Sequence, residues 1–239
     1  MHQEPVTWQS PRLGRDMTLQ VVGHAGARVL VFPTSMGTWR EWTDRQMHEV
    51  LRDHIENGWI QLFCLDQPHF ENWGNDACPP EVRARTHLAY YDYVQEEVLP
   101  FAASRNHNPF VIATGASLGA THAMAYGLRF PQSVQRILGM SGMYDLKRLT
   151  RGWSNGDLYA VNPMDFMQHE HDPARIAAFR RQDIIMVIGR DDPMYGNNAE
   201  FSGRLWGMGI GNALRVWDGS AHDWPFWEKM ARLYLGGHD

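Results

Sequence analysis

Phe110-Val111-Ile112-Ala113-Thr114-Gly115-Ala116-Ser117-Leu118-Gly119-Ala120 is the stretch on which the reading turns. A short apolar run precedes Gly-x-Ser-x-Gly, and residues 120–130 have a helix-forming composition. Strand, Gly-x-Ser-x-Gly, helix is the context in which a serine is held on a strained turn with its hydroxyl at the carboxyl edge of a sheet. Glycines two before and two after Ser117 allow the neighbouring backbones to approach without a Cβ clash. The Leu118 N–H at the start of the helix would then be free to stabilise an oxyanion.

Outward from this stretch, apolar runs alternate with helical patterns. Strands are expected at 17–23, 29–32, 59–65, 134–140, 184–188 and 213–217, with helices at 43–57, 81–103, 199–208 and 224–235. Residues 146–182 are of mixed composition, with two short helices expected, one at 173–181. That segment is long enough for a partial lid and short for an independent domain. The alternation predicts a mostly parallel sheet covered by helices on both faces, in one domain spanning 1–239. In such sheets the chemistry gathers beyond the carboxyl ends of the strands.

A serine hydroxyl needs a base to accept its proton, usually a histidine held in one tautomer by a carboxylate. After a Gly-x-Ser-x-Gly turn the expected chain order is Ser, then Asp or Glu, then His. His222 follows the last expected strand after Asp218-Gly219-Ser220-Ala221, where that base is required. His122 lies inside the helix after Ser117 and is expected to pack. His169 and His171 flank Glu170 in a polar stretch with nothing to complete a metal site. For the acid, the spacing Gly189-x-x-Asp192 favours Asp192, with the adjacent Asp191 as its competitor. Asp218 and Asp223 lie too close to His222 in sequence to be favoured. A second oxyanion donor is expected from the turn Pro33-Thr34-Ser35-Met36-Gly37, at Ser35 or alternatively Met36.

The bulk properties narrow the class. A net charge of −5 without a long basic block argues against a nucleic-acid partner. The start Met1-His2-Gln3-Glu4-Pro5 lacks the regions of a signal peptide, and no apolar run approaches a membrane span. Two lone cysteines, Cys64 and Cys78, fit a reducing cytoplasm. An exposed aromatic surface would favour a homodimer.

Taken together, Val31–Gly37, Gly115–Ala120, Leu128-Arg129-Phe130-Pro131, Ser141–Asp145 and His222-Asp223-Trp224-Pro225-Phe226-Trp227 resemble the esterase D-like (putative esterase) branch of the α/β-hydrolase superfamily. The last string is the most specific. Pro33-Thr34 departs from the His-Gly that many relatives carry there. The resemblance implies an α/β-hydrolase fold and a carboxylic ester hydrolase. In it Ser117, Asp192 and His222 would be nucleophile, acid and base, with Ser35 and Leu118 as oxyanion donors. A thioesterase, an amidase or an acyltransferase would use the same residues, and a non-catalytic binding protein on the same scaffold is the alternative of another class. The expected substrate is a small-molecule ester with no metal or cofactor, and Met36 and Trp224 are expected to contact it. Trp39, Trp42, Trp73, Trp224 and Trp227 are expected to pack under the site or line its mouth.

Overall fold

The computed structural model describes residues 1–236. An eight-stranded sheet runs in the order β1-β2-β4-β3-β5-β6-β7-β8. Its strands are β1 Gln3–Ser10, β2 Arg15–Val22, β3 Ala27–Phe32, β4 Ile60–Leu65, β5 Val111–Ala116, β6 Arg136–Met140, β7 Asp183–Gly189 and β8 Ala213–Trp217. The β1–β2 and β2–β4 pairs are antiparallel, and all pairs from β4 to β8 are parallel. The expected α/β-hydrolase architecture is present. One strand was not expected from sequence: β1, whose polar residues and Pro5 suit an exposed edge rather than a core strand.

The apolar runs become central strands because both faces are covered. Along β7, Ile184 and Met186 join one core while Ile185 and Val187 join the other, the period-2 alternation of a two-sided sheet. The first core is closed by α4 (Pro80–Tyr93), α6 (Leu118–Arg129), the short helices α7 (Gly156–Val161), α8 (Pro163–Phe166) and α9 (Pro173–Phe179), and α10 (Tyr195–Gly207). The second is closed by α1 (Glu41–Asp44), α2 (Met47–Val50), α3 (Arg52–Glu56) and α11 (Trp224–Tyr234).

Two helices differ from expectation. The one expected at 43–57 is three short helices, broken where Gln46 takes φ 57°. The one expected at 81–103 is α4, a π turn over Val94–Val98, and α5 (Leu99–Arg105). The π turn brings the Glu97 carboxylate to β1, where it accepts from Trp8 Nε1 at 2.7 Å and Ser10 Oγ at 2.8 Å.

Residues 146–182 are fastened to the body of the protein. Leu146, Leu158, Val161, Met164 and Met167 are buried in the first core, and Asn162 Nδ2 bonds both Asp145 and Asp165. Cys64 and Cys78 are unpaired and buried, and burial pushes the Cys64 thiol up to about 12. No helix among the described residues is long and apolar enough to cross a membrane.

Candidate active site

Ser117 sits between β5 and α6 with φ 54° and ψ −121°, a conformation that costs a non-glycine residue about 1–3 kcal/mol. The turn is possible because Gly115 and Gly119 lack side chains. A Cβ on Gly115 would lie 2.4 Å from the Gly119 carbonyl carbon, and one on Gly119 would lie 2.2 Å from the Phe32 oxygen. Phe32 pairs with Gly115 across β3 and β5, so the end of β3 is pressed against the turn. The Ser117 N–H is anchored to the Met140 carbonyl at the end of β6, at 2.8 Å.

The next loops along the carboxyl edge deliver the partners. His222 Nε2 lies 3.1 Å from Ser117 Oγ, and His222 Nδ1 lies 2.6 Å from Asp192 Oδ2. The Asp192 carboxylate is buried, and its other oxygen accepts from the Met194 N–H at 2.8 Å. Asp191 is exposed, with its N–H on the Gly219 carbonyl at 3.0 Å. Asp218 is exposed, and Asp223 caps α11 by accepting from the Trp224 N–H. The 189–192 and 218–222 loops meet because Gly189 has no Cβ: one there would lie 1.9 Å from the Ser220 oxygen.

Trp227, expected to pack under the site, forms a wall behind the histidine, and its link through Ser141 carries no sequence signal. Trp227 packs edge-on to the His222 ring at 5.4 Å, and its Nε1 donates to Ser141 Oγ at 3.0 Å. Ser141 Oγ in turn donates to the Ala221 carbonyl at 3.1 Å. Ser141 and Ala221, like Ser117, have positive φ without being glycine. Three such residues at one place mark a region whose surroundings hold the backbone in strained geometry.

A cavity of about 270 Å³ opens onto this group, lined by Ser117, Leu118, Ser35, Gly74 and His222, with Thr121, Ser141, Met143, Leu149 and Met194 around them. Ser35 and Leu118 therefore share one cavity with the Ser117 hydroxyl. Met36 and Trp224, the residues expected to contact substrate, are not among its lining residues. The Met36 side chain is 76% exposed, because adjacent residues on a tight turn point in different directions. Trp224 packs edge-on to Trp227 and lies under the Arg45 guanidinium, on a separate surface groove. Of residues 146–182, Leu149 alone lines the cavity. His122 is buried, and His169 stacks on Tyr159 at another cleft. Trp42 and Trp73 are core residues.

Residues 10–229 match the model of the family described as "Putative esterase". No curated protein matches the chain. Among solved structures, an S-formylglutathione hydrolase from Agrobacterium tumefaciens superposes with a TM-score of 0.77 at 18% identity, covering 99% of this chain and 94% of that one. A ferulic acid esterase gives 0.73 at 17% identity, over 98% and 96% of the two chains. The fluorophosphonate-binding serine hydrolase F of Staphylococcus aureus gives 0.67 at 14% identity, over 97% and 95%. Likeness at these identities is likeness of fold.

Proposed function

Because the chain belongs to the Putative esterase family, we propose that it is a single-domain serine hydrolase that cleaves small-molecule carboxylic esters through Ser117, His222 and Asp192. The observation that carries the reading is the continuous hydrogen-bonded line from Asp192 Oδ2 through His222 to Ser117 Oγ, at 2.6 and 3.1 Å.

His222 Nε2 takes the Ser117 proton as Oγ attacks the ester carbonyl carbon. The carbonyl oxygen becomes an oxyanion, held by the N–H groups of Leu118 and Ser35. Leu118 opens the twelve-residue helix α6, whose dipole favours negative charge at that end. One such donor is worth about 3–4 kcal/mol of barrier. Collapse expels the alcohol with the proton from His222 and leaves Ser117 acylated. Water, deprotonated by His222, then attacks the acyl-enzyme, and the acid departs as Ser117 recovers its proton. Asp192 holds the Nδ1–H and stabilises the imidazolium in both halves.

The test is turnover of a short-chain p-nitrophenyl ester series by wild type, Ser117→Ala and His222→Ala, with fluorophosphonate labelling alongside. Wild-type turnover, labelling at Ser117, and a loss of about three orders of magnitude or more in both variants support the reading. Turnover that survives Ser117→Ala would sink it.

A further inference from the structure

We propose that Gln67, fixed in orientation by Asn72, is a positioning residue that aims the Ser35 N–H at the oxyanion; this rests on the serine-esterase reading above. Gln67 is 2% exposed, lies in the loop after β4, and is not among the residues lining the cavity. Its Nε2 donates to the Thr34 carbonyl at 2.6 Å and to the Gly37 carbonyl at 2.8 Å, with the Ser35 carbonyl at 3.4 Å. The Thr34 carbonyl also accepts from the Gly37 N–H at 3.0 Å, closing the turn.

The Thr34–Ser35 peptide is trans, as all are among the described residues. In a planar trans peptide the C=O and the following N–H point in opposite directions. Pinning the Thr34 carbonyl to Gln67 therefore turns the Ser35 N–H the other way, and Ser35 shares its cavity with Ser117. The same hydrogen bond polarises the peptide and makes that N–H a stronger donor.

An amide could serve as a donor here only if it is kept from flipping. Asn72, fully buried, does this by donating Nδ2–H to Gln67 Oε1 at 2.9 Å. Its own Oδ1 accepts from Ser35 Oγ at 3.0 Å and the Gly74 N–H at 2.8 Å. Glu41 also accepts from the Thr34 N–H at 2.9 Å and from Thr34 Oγ1. The turn is held through both its carbonyls and its N–H groups, and the Thr34 carbonyl that sets the direction of the Ser35 N–H is held by Gln67.

The test uses Gln67→Met, which keeps the volume and removes the donor, and Asn72→Asp, which keeps the acceptor for Ser35 and Gly74 and removes the lock on Gln67. Each is compared with wild type in single-turnover acylation, substrate affinity, and binding of an alkyl trifluoromethyl ketone, which adds to Ser117 as a tetrahedral adduct. Full loss of an oxyanion donor costs about 10²–10³ in rate. For folded Gln67→Met the acylation rate is expected to fall about 30–300-fold, with substrate affinity within about 3-fold and ketone affinity falling in proportion to the rate. Asn72→Asp is expected to move the same way by about 10-fold.

A merely structural role would lower the melting temperature without a matching loss of ketone affinity, and that result overturns the inference. So does a folded Gln67→Met protein with acylation within about 2-fold of wild type. Should Gln67→Met fail to fold, Asn72→Asp decides by the same criteria. A wild type that neither turns over esters nor takes the fluorophosphonate defeats the esterase reading instead.

Discussion

An imidazole bonded at both nitrogens has its tautomer chosen for it. With Asp192 Oδ2 at 2.6 Å from His222 Nδ1, the carboxylate favours the Nδ1–H tautomer, which under the proposed mechanism leaves Nε2 to accept from Ser117 at 3.1 Å. Asp192→Asn offers an amide that can donate to Nδ1, which favours the wrong tautomer. Its kcat is expected to fall about 10⁴-fold with the fold intact, whereas Asp191→Asn, on an exposed residue, stays within about 2-fold. Steady-state kinetics on one ester compare the two directly. The juxtaposition of Ser117 and His222 is foreseeable in sequence, because a motif and a strand end single them out. Of the two adjacent aspartates it is Asp192 whose carboxylate lies against His222. Met36 and Trp224 lie outside the cavity lining although each neighbours a candidate site residue in the chain, since which neighbour faces the cavity depends on the turn. Gln67 and Asn72 carry no sequence signal, as buried amides in a loop look like any polar loop until their carbonyl partners are placed.

At the scale of elements, the contact that matters most is α6 against the end of β3. Gly119→Ala would set a methyl 2.2 Å from the Phe32 carbonyl oxygen, a backbone atom that cannot swing aside. Overpacking of that kind costs about 1–3 kcal/mol or more, read as a lowered urea midpoint, with a displaced Ser117 lowering activity as well. The α4–α6 interface makes a separate prediction. His87 and His122 stack at 5.0 Å, fully buried, and His122 Nδ1 meets the Tyr91 hydroxyl at 2.9 Å. Burial drives the His87 pKa down to about 4 from 6.5 and that of His122 well below its ordinary value. The unfolded chain therefore takes up protons before the native state does. Stability is full above about pH 6.5 and drains as pH falls toward about 4. His87→Phe should flatten that slope, seen in urea melts at pH 7.5 and pH 5. The helix at 81–103 is legible from its apolar spacing. Its π turn is not, because the demand for it comes from β1, through Glu97.

At the scale of the molecule, the parallel sheet brings the loops after β3, β4, β5, β6, β7 and β8 to one edge, and the cavity is what lies between them. This gathering follows from strand–helix alternation and so could be read in advance, apart from the antiparallel edge strand β1. The size and lining of the cavity could not, since they depend on how residues 146–182 dock. Leu158, Val161, Met164 and Met167 root that segment in the core, which makes Leu149 a fixed wall rather than part of a moving flap. With Leu118, Met143 and Met194 it gives a cavity of about 270 Å³ in which, among the described residues, His222 is the one titratable side chain. At about 30 Å³ per water-sized group that is space for about nine such groups, enough for the reacting ester and a short acyl chain. Uncharged acyl groups of about two to six carbons should be hydrolysed best, because a carboxylate there would be desolvated without a partner. Esters of about ten carbons should lose most of their kcat/KM. Leu149→Ala removes wall without touching the Ser117–His222–Asp192 line, so the optimum should lengthen by about two carbons at little change in kcat for the shortest ester. A chain-length profile of both proteins measures this, and an optimum unmoved by Leu149→Ala would mean the acyl chain leaves the site by another wall.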